Sequence, residues 1–259
     1  MRQFDVFVFD ENYDEAQGKL PQPPFTDPEL GWFFTSDWNK HLDEIEGEWV
    51  IFAHPSIKIN RNFLNNVAEV TDSFPMVDAF APRIRTDKGK FLGGYLLKPA
   101  AKGSGFVEID ENAPLRYVAA PHPFLAVFSR RIIQRTGGFD TTLPEYARLA
   151  DFTLRMMHAG GKMFSVPYLV AQATNEKAET VVSNASSEKA CGLMGVRDLK
   201  STAIVLSKAF GAEASMPFAL HHPSVILTLL RNRKQRKEKR KAATLLSKLK
   251  ADFLKEVTL

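Results

Sequence analysis

Apolar residues in this chain fall into short dense runs with two different periods. Phe4, Val6 and Val8, interleaved with Phe7 and Phe9, form a nearly continuous apolar run that stops at Asp10, the pattern of a strand buried on both faces. Pro21, Pro23, Pro24 and Pro28 exclude regular structure in the loop that follows. From Ser36 to Glu46 the period turns helical, with Ser36 as N-cap and Trp38, Leu42 and Ile45 on one face. Trp49 to Ala53 reads as a second buried strand closed by His54-Pro55-Ser56. Asn60 to Val70 reads as a helix with Phe63, Leu64 and Val67 inward.

The alternation continues. Met76 to Ala81 is expected to be a strand, and Thr86 to Lys90 has the Asp/Gly chemistry of a tight turn. Phe124 to Phe128 predicts a strand leading into a helix at 129–136 that Gly137-Gly138 stops. Glu145 to Ala159 predicts a helix with Leu149, Phe152 and Met156 inward, Lys162 to Val166 a short closing strand, and the chain from about Ser186 mostly helix. Strands alternating with helices imply an α/β domain with a largely parallel sheet. Such sheets bind ligands outside the carboxyl ends of their strands. Two strands deliver polar residues there: Asp10 with Glu11, Asn12 and Asp14, then His54 with Ser56. Asp and Asn also favour turns for local reasons, so ordinary turn chemistry is the competing explanation.

Composition narrows the class. The 259 residues, 44% of them apolar, suffice for a core without disulfides, and the single Cys191 excludes a disulfide framework or a cysteine zinc site. No run of 18 apolar residues and no signal-peptide pattern occurs, so the expectation is a soluble cytoplasmic protein. The net charge of +4 hides an asymmetry: residues 231–241 hold eight Lys or Arg against Glu238. Beyond them Leu245, Leu246, Leu249, Phe253 and Leu254 recur at helical spacing among lysines. The basic run is thus either a solvated stretch or a contact to an anionic membrane surface, and the amphipathic helix after it could lie on a bilayer, pack on the body of the protein or pair with a second copy. Nucleic acid ranks last, because no aromatic interleaves the basic run.

Two stretches together resemble the GT-A-fold family-2 glycosyltransferases. Gly47 to Ser56, continuing through Asn62-Phe63-Leu64, is similar to the segment in which a strand ends in a metal-binding Asp-x-Asp-type motif. Phe128 to Asp140 with its Gly137-Gly138-Phe139-Asp140 turn, then Ala150 to Arg155, then Ala159-Gly160-Gly161 and Val166-Pro167, is similar to the acceptor-side half. The resemblance covers roughly residues 4–173. It implies a Rossmann-like GT-A domain over residues 1–180, with 181–259 as a helical basic extension. Phe4 to Asp10 then corresponds to the family's second strand with the first missing, or to the first strand with a shortened connection.

The same resemblance implies the roles. A UDP-sugar would be held by Asp10 and Asn12 at base and ribose and by Asp37, Trp38 and Asn39 on the donor side, with Ser56 and His54 at the diphosphate. The family's two metal-binding carboxylates fall on His54 and Ser56. His54 is accordingly the expected metal ligand, and an imidazole favours Mn²⁺ over Mg²⁺. Where the family has a Glu-Asp pair supplying the general base, this chain has Arg148-Leu149, and arginine cannot accept a proton at neutral pH. Glu145 and Asp151 are the nearby carboxylates, His122 is an alternative base on the acceptor side, and Arg148 is a candidate for stabilising the leaving diphosphate. Glycosyl transfer to an unknown acceptor is the expectation. The alternative is a nucleotide-binding or scaffold protein that kept the fold and lost turnover.

Overall fold

The computed structural model describes residues 2–10, 23–86, 89–97, 106–174, 204–208 and, further on, 223–231, 233, 234, 237, 238, 240 and 241. In chain order the strands are β1 (Phe4–Phe9), β2 (Leu30–Thr35), β3 (Trp49–Ala53), β4 (Ile57–Lys58), β5 (Ala79–Arg85), β6 (Phe91–Leu92), β7 (Tyr95–Leu97), β8 (Phe106–Glu108), β9 (Arg116–Tyr117), β10 (Leu125–Ser129) and β11 (Met163–Ala173). The helices are α1 (Arg61–Ser73), α2 (Arg130–Thr136), α3 (Glu145–His158) and α4 (Pro223–Arg231).

The main sheet has the order β2-β1-β3-β10-β5-β11-β4. β1 pairs in parallel with both β2 and β3, and β5 pairs in parallel with β11. β10 runs against both of its neighbours, so the sheet is mostly parallel with one reversed strand inside it. Alternate residues of these strands feed two cores. Phe4, Val6, Ile51 and Val127 pack beneath α1, while Phe7, Phe52 and Phe128 pack beneath α2 and α3. That is why β1 and β3 read as continuous apolar runs rather than as alternating ones.

Local chemistry fixes the helix ends. The Asn60 side chain accepts a hydrogen bond from the Phe63 N–H at 2.9 Å and caps α1, whose Phe63, Leu64, Val67 and Val70 are buried. Ser129 caps α2 through the Ile132 N–H at 3.3 Å, and Gly137, at φ 79°, ends it. α3 buries Leu149, Phe152 and Met156 as expected.

Four expectations need correction. The predicted helix at 36–46 is instead a set of turns with a single 3-10 turn at Leu42–Glu44. Thr35 Oγ1 and Asp37 Oδ1 take the N–H groups of Asp37 and Asn39, local bonds that compete with helix formation, and His41 is left-handed at φ 65°. The segment Leu30–Thr35, read within a loop region, is strand β2. The closing strand β11 runs for eleven residues, with a register shift between Ser165 and Val170 around Pro167. The strand expected from Met76 begins at Ala79, because Val77 N–H closes a turn onto Phe74 C=O and leaves Met76 exposed.

Of the proposed extension, Val205 and Leu206 lie in the core shared with α2 and α3. The amphipathic segment near 245–255 lies outside the described residues, as do Asn12 and Cys191. Among the described residues no helix is long and apolar enough to cross a membrane.

Candidate functional site

The chain order 2-1-3 puts a topological switch point between β1 and β3, the place where open α/β sheets leave a crevice for ligands. Parallel pairing of these strands carries Asp10 and His54 to one edge of the sheet. Because β10 is reversed, its start returns to the same edge, where the His54 N–H donates to the Phe124 carbonyl at 3.0 Å. The His54 and Phe124 rings stack at 4.2 Å with 19° between planes. His54 Nδ1 accepts from the Ser56 N–H at 3.1 Å. Burial lowers the His54 pKa below its ordinary value, and the charge of Asp10 acts against that shift. The neutral imidazole, with its proton on Nε2, is therefore the form at pH 7.

Beside this pair opens a pocket of about 320 Å³ lined by Val8, Asp10, Trp32, Phe34, Pro55 and Lys58, among others. Trp32 and Phe34 lie 6.2 Å apart with nearly parallel rings, and Phe25 meets Trp32 edge-on at 5.7 Å. Aromatic walls with a carboxylate and an ammonium nearby suit a planar, polar-edged ligand.

No protein-family model matches the sequence, and no curated protein matches it. A solved structure of GalNAc-T7 with UDP, GalNAc and Mn²⁺ aligns over 92% of this chain at a TM-score of 0.55 and 10% identity. The fold is GT-A-like. The alignment spans 54% of the GalNAc-T7 chain, about half its length. A mannosyltransferase from Pyrobaculum calidifontis in complex with GDP-Man and Mn²⁺ aligns over 95% of this chain and 87% of its own, at 14% identity and a TM-score of 0.42. TarS from S. aureus, residues 1–349, aligns over 84% of this chain and 69% of its own, at 14% identity and a TM-score of 0.41.

The expected site residues separate into two groups on this GT-A-like frame. Asp10, His54 and Ser56 meet at the mouth. Trp38 does not: it is 2% exposed, stacked on Phe9 at 4.1 Å on the α2/α3 side of the sheet, and is a core residue rather than a donor contact. Asn39 is turned the other way, its amide donating to the Phe139 carbonyl at 3.1 Å and accepting from the Phe139 N–H at 2.7 Å. Asp37 is occupied in the turn that receives the Asn39 N–H.

The expected catalytic residues are likewise engaged. Asp151 is 1% exposed and pairs with Arg155 at 2.9 Å and with Lys208 at 3.4 Å, and Lys208 also pairs with Asp140. This makes Asp151 a member of a buried ion cluster instead of a base facing an acceptor. His122 is fully buried, with Nδ1 accepting from the Phe124 N–H at 3.1 Å, which excludes it from an open acceptor site. Arg148 donates from Nε to the Leu143 carbonyl at 2.8 Å, and its guanidinium lies 5.6 Å from the Trp38 ring centre. Glu145 opens α3 with its backbone, and its side chain lies outside the described set.

Sequence reasoning named Asp10 but assigned no site role to the other pocket residues Trp32, Phe34 and Lys58. Trp32 and Phe34 carried a signal, an aromatic pair at the period of a strand, that was hidden by the proline-rich loop before it. Lys58 carried none, since nothing local distinguishes it from any surface lysine. Among the described residues, no group of three or more His, Cys, Asp or Glu could hold a metal ion.

Proposed function

We propose that this protein is glycosyltransferase-like and binds a UDP-sugar at the mouth formed by Asp10, His54 and the Trp32–Phe34 pocket. The observation that carries this reading is the meeting of Asp10 and His54 at the β1/β3 switch point, beside an aromatic pocket. UDP in the GalNAc-T7 structure, which shares the fold, supports the choice of nucleotide. In this reading the uracil lies against Trp32 and Phe34, Asp10 accepts from base or ribose, and the diphosphate runs toward His54 and Ser56.

Transfer would form a bond from an acceptor oxygen to the anomeric carbon, break the bond to the diphosphate, and hand the acceptor proton to a base. Glu145 is the proposed base, since Asp151 and His122 are sequestered. Arg148 is proposed to stabilise charge on the leaving diphosphate. The same sequestration of Asp151 and His122 favours a second reading, in which the nucleotide is bound without turnover.

Calorimetric titration with UDP tests binding. The expected result is saturable binding that Asp10→Asn and Trp32→Ala each weaken by about tenfold. Absence of UDP binding overturns the proposal. Incubation with a panel of UDP-sugars, for the parent and for Glu145→Gln, separates the two readings.

Peripheral attachment to an anionic membrane surface through residues 231–255, at the cytoplasmic face, is also proposed. Support comes from α4, where Ile226, Leu227, Leu230 and Arg231 are exposed, and from the exposed helical residues Arg233, Lys234, Lys237, Arg240 and Lys241 beyond it. Co-sedimentation with phosphatidylglycerol vesicles but not with phosphatidylcholine vesicles is the expected outcome.

A further inference from the structure

The residues at the mouth do not have the arrangement of a metal centre. A histidine that ligates a metal normally donates the N–H of its other ring nitrogen to a carboxylate, a carbonyl or water, which frees the ligating nitrogen's lone pair. At His54 the relation is inverted. Nδ1 faces a backbone N–H, that of Ser56, at 3.1 Å and acts as the acceptor. The ring proton is thereby fixed on Nε2, and an N–H cannot donate a lone pair to a cation. Rotation of the ring is opposed by the stack on Phe124 at 4.2 Å, and the backbone His54 N–H to Phe124 C=O bond at 3.0 Å holds the two residues side by side. The position two residues on is Ser56, a hydroxyl where a hard cation would need a carboxylate. Asp10 is a single carboxylate, and the described residues supply no third ligand.

What the mouth does offer is donors and positive charge. His54 presents an Nε2–H that is held in place. Lys58 lines the same pocket as Asp10. Its strand β4 is fixed to the end of β11 by Lys58–Gln172 pairing, and the Thr174 N–H donates to the Ser56 carbonyl at 2.9 Å, so His54, Ser56 and Lys58 form one short braced segment. An ammonium group and an imidazole N–H are the types of group that neutralise and hydrogen-bond phosphate oxygens when no ion is present.

We propose that this protein holds the diphosphate of its nucleotide with the Lys58 ammonium and the His54 Nε2–H, without a divalent cation. The inference rests on the UDP reading above, and the experiment separates failure of the two. Calorimetric titration of the full chain with UDP is run once in excess EDTA and once with Mn²⁺. Dissociation constants within about twofold of each other are expected. Lys58→Met, an exposed position whose replacement leaves the core alone, is expected to weaken binding by about tenfold in EDTA. His54→Gln, which keeps an amide donor, is expected to retain more affinity than His54→Leu, with the melting temperature of each variant recorded to show that it is folded.

UDP binding that requires Mn²⁺, or tightens by more than about tenfold with it, overturns the cation-free site and leaves the UDP reading standing. Metal-free binding that is indifferent to Lys58→Met overturns the assignment of Lys58. No UDP binding in either buffer overturns both the inference and the function on which it rests.

Discussion

The His54 imidazole lies flat on the Phe124 ring, 4.2 Å between centroids, where the residue that follows β3 meets the residue that precedes the antiparallel β10. Burial lowers the imidazole pKa, with the charge of Asp10 opposing the shift. Between the unfolded value of about 6.5 and the lower folded value, the unfolded chain binds the extra proton. Stability is therefore unaffected by this group above pH 6.5 and falls as the pH drops from there through the folded pKa. His54→Gln should remove that component. Melting curves from pH 7.5 down to 5 are expected to show a steeper loss for the parent than for the variant, and parallel curves would contradict the assignment.

Trp32 and Trp38 report on different sides of the sheet. Trp32 lines the pocket, whereas Trp38 is buried against Phe9, Phe139 and Arg148. Saturating UDP should change the intrinsic fluorescence of the parent. Trp32→Phe should abolish that change, and Trp38→Phe should leave it in place. Loss of the signal in Trp38→Phe alone would move the ligand to the other face.

Asp5 is fully buried and accepts from the Glu46 and Gly47 N–H groups at 2.8 and 2.7 Å, with Arg2 at 3.4 Å on its other oxygen. Asp5→Ala leaves the buried Gly47 N–H and the part-buried Glu46 N–H without their acceptor, at an expected cost of about 1–3 kcal/mol. Urea denaturation monitored by circular dichroism measures it. Gly47→Ala should be comparably harmful, because its Cβ would lie 2.7 Å from the Asp5 backbone nitrogen.

Asn39 clamps the Gly138-Phe139 turn from across the sheet edge. Asn39→Ala breaks both bonds to Phe139 and should cost about 1–3 kcal/mol in the same assay. Gly138→Ala should also destabilise, since a Cβ there would collide with Asn39 Oδ1. Combining Gly138→Ala with Asn39→Ala should recover part of that loss, because the second change removes the obstructing group.

Much of the frame was legible because burial dictates it. β1, β3, α1, α2 and α3 all declare themselves through period and caps, and Asp10 and His54 stand out as the polar residues that end buried strands. What the pattern does not encode is side-chain commitment. Trp38 and Asn39 lie next to each other in a loop that resembled a donor contact, yet one is consumed by ring stacking and the other by a bond to a turn a hundred residues away. Asp151 has the residue type of a base, but Lys208, far along the chain, claims it. Pairings of that kind depend on tertiary approach and leave no local trace.

Lys208 therefore sets a practical limit on trimming this protein. A fragment stopping short of it would remove the buried ammonium that pairs with both Asp140 and Asp151, two aspartates that are themselves buried. A minimal soluble version should accordingly retain this lysine, and its boundary is better drawn past 208 than at 180.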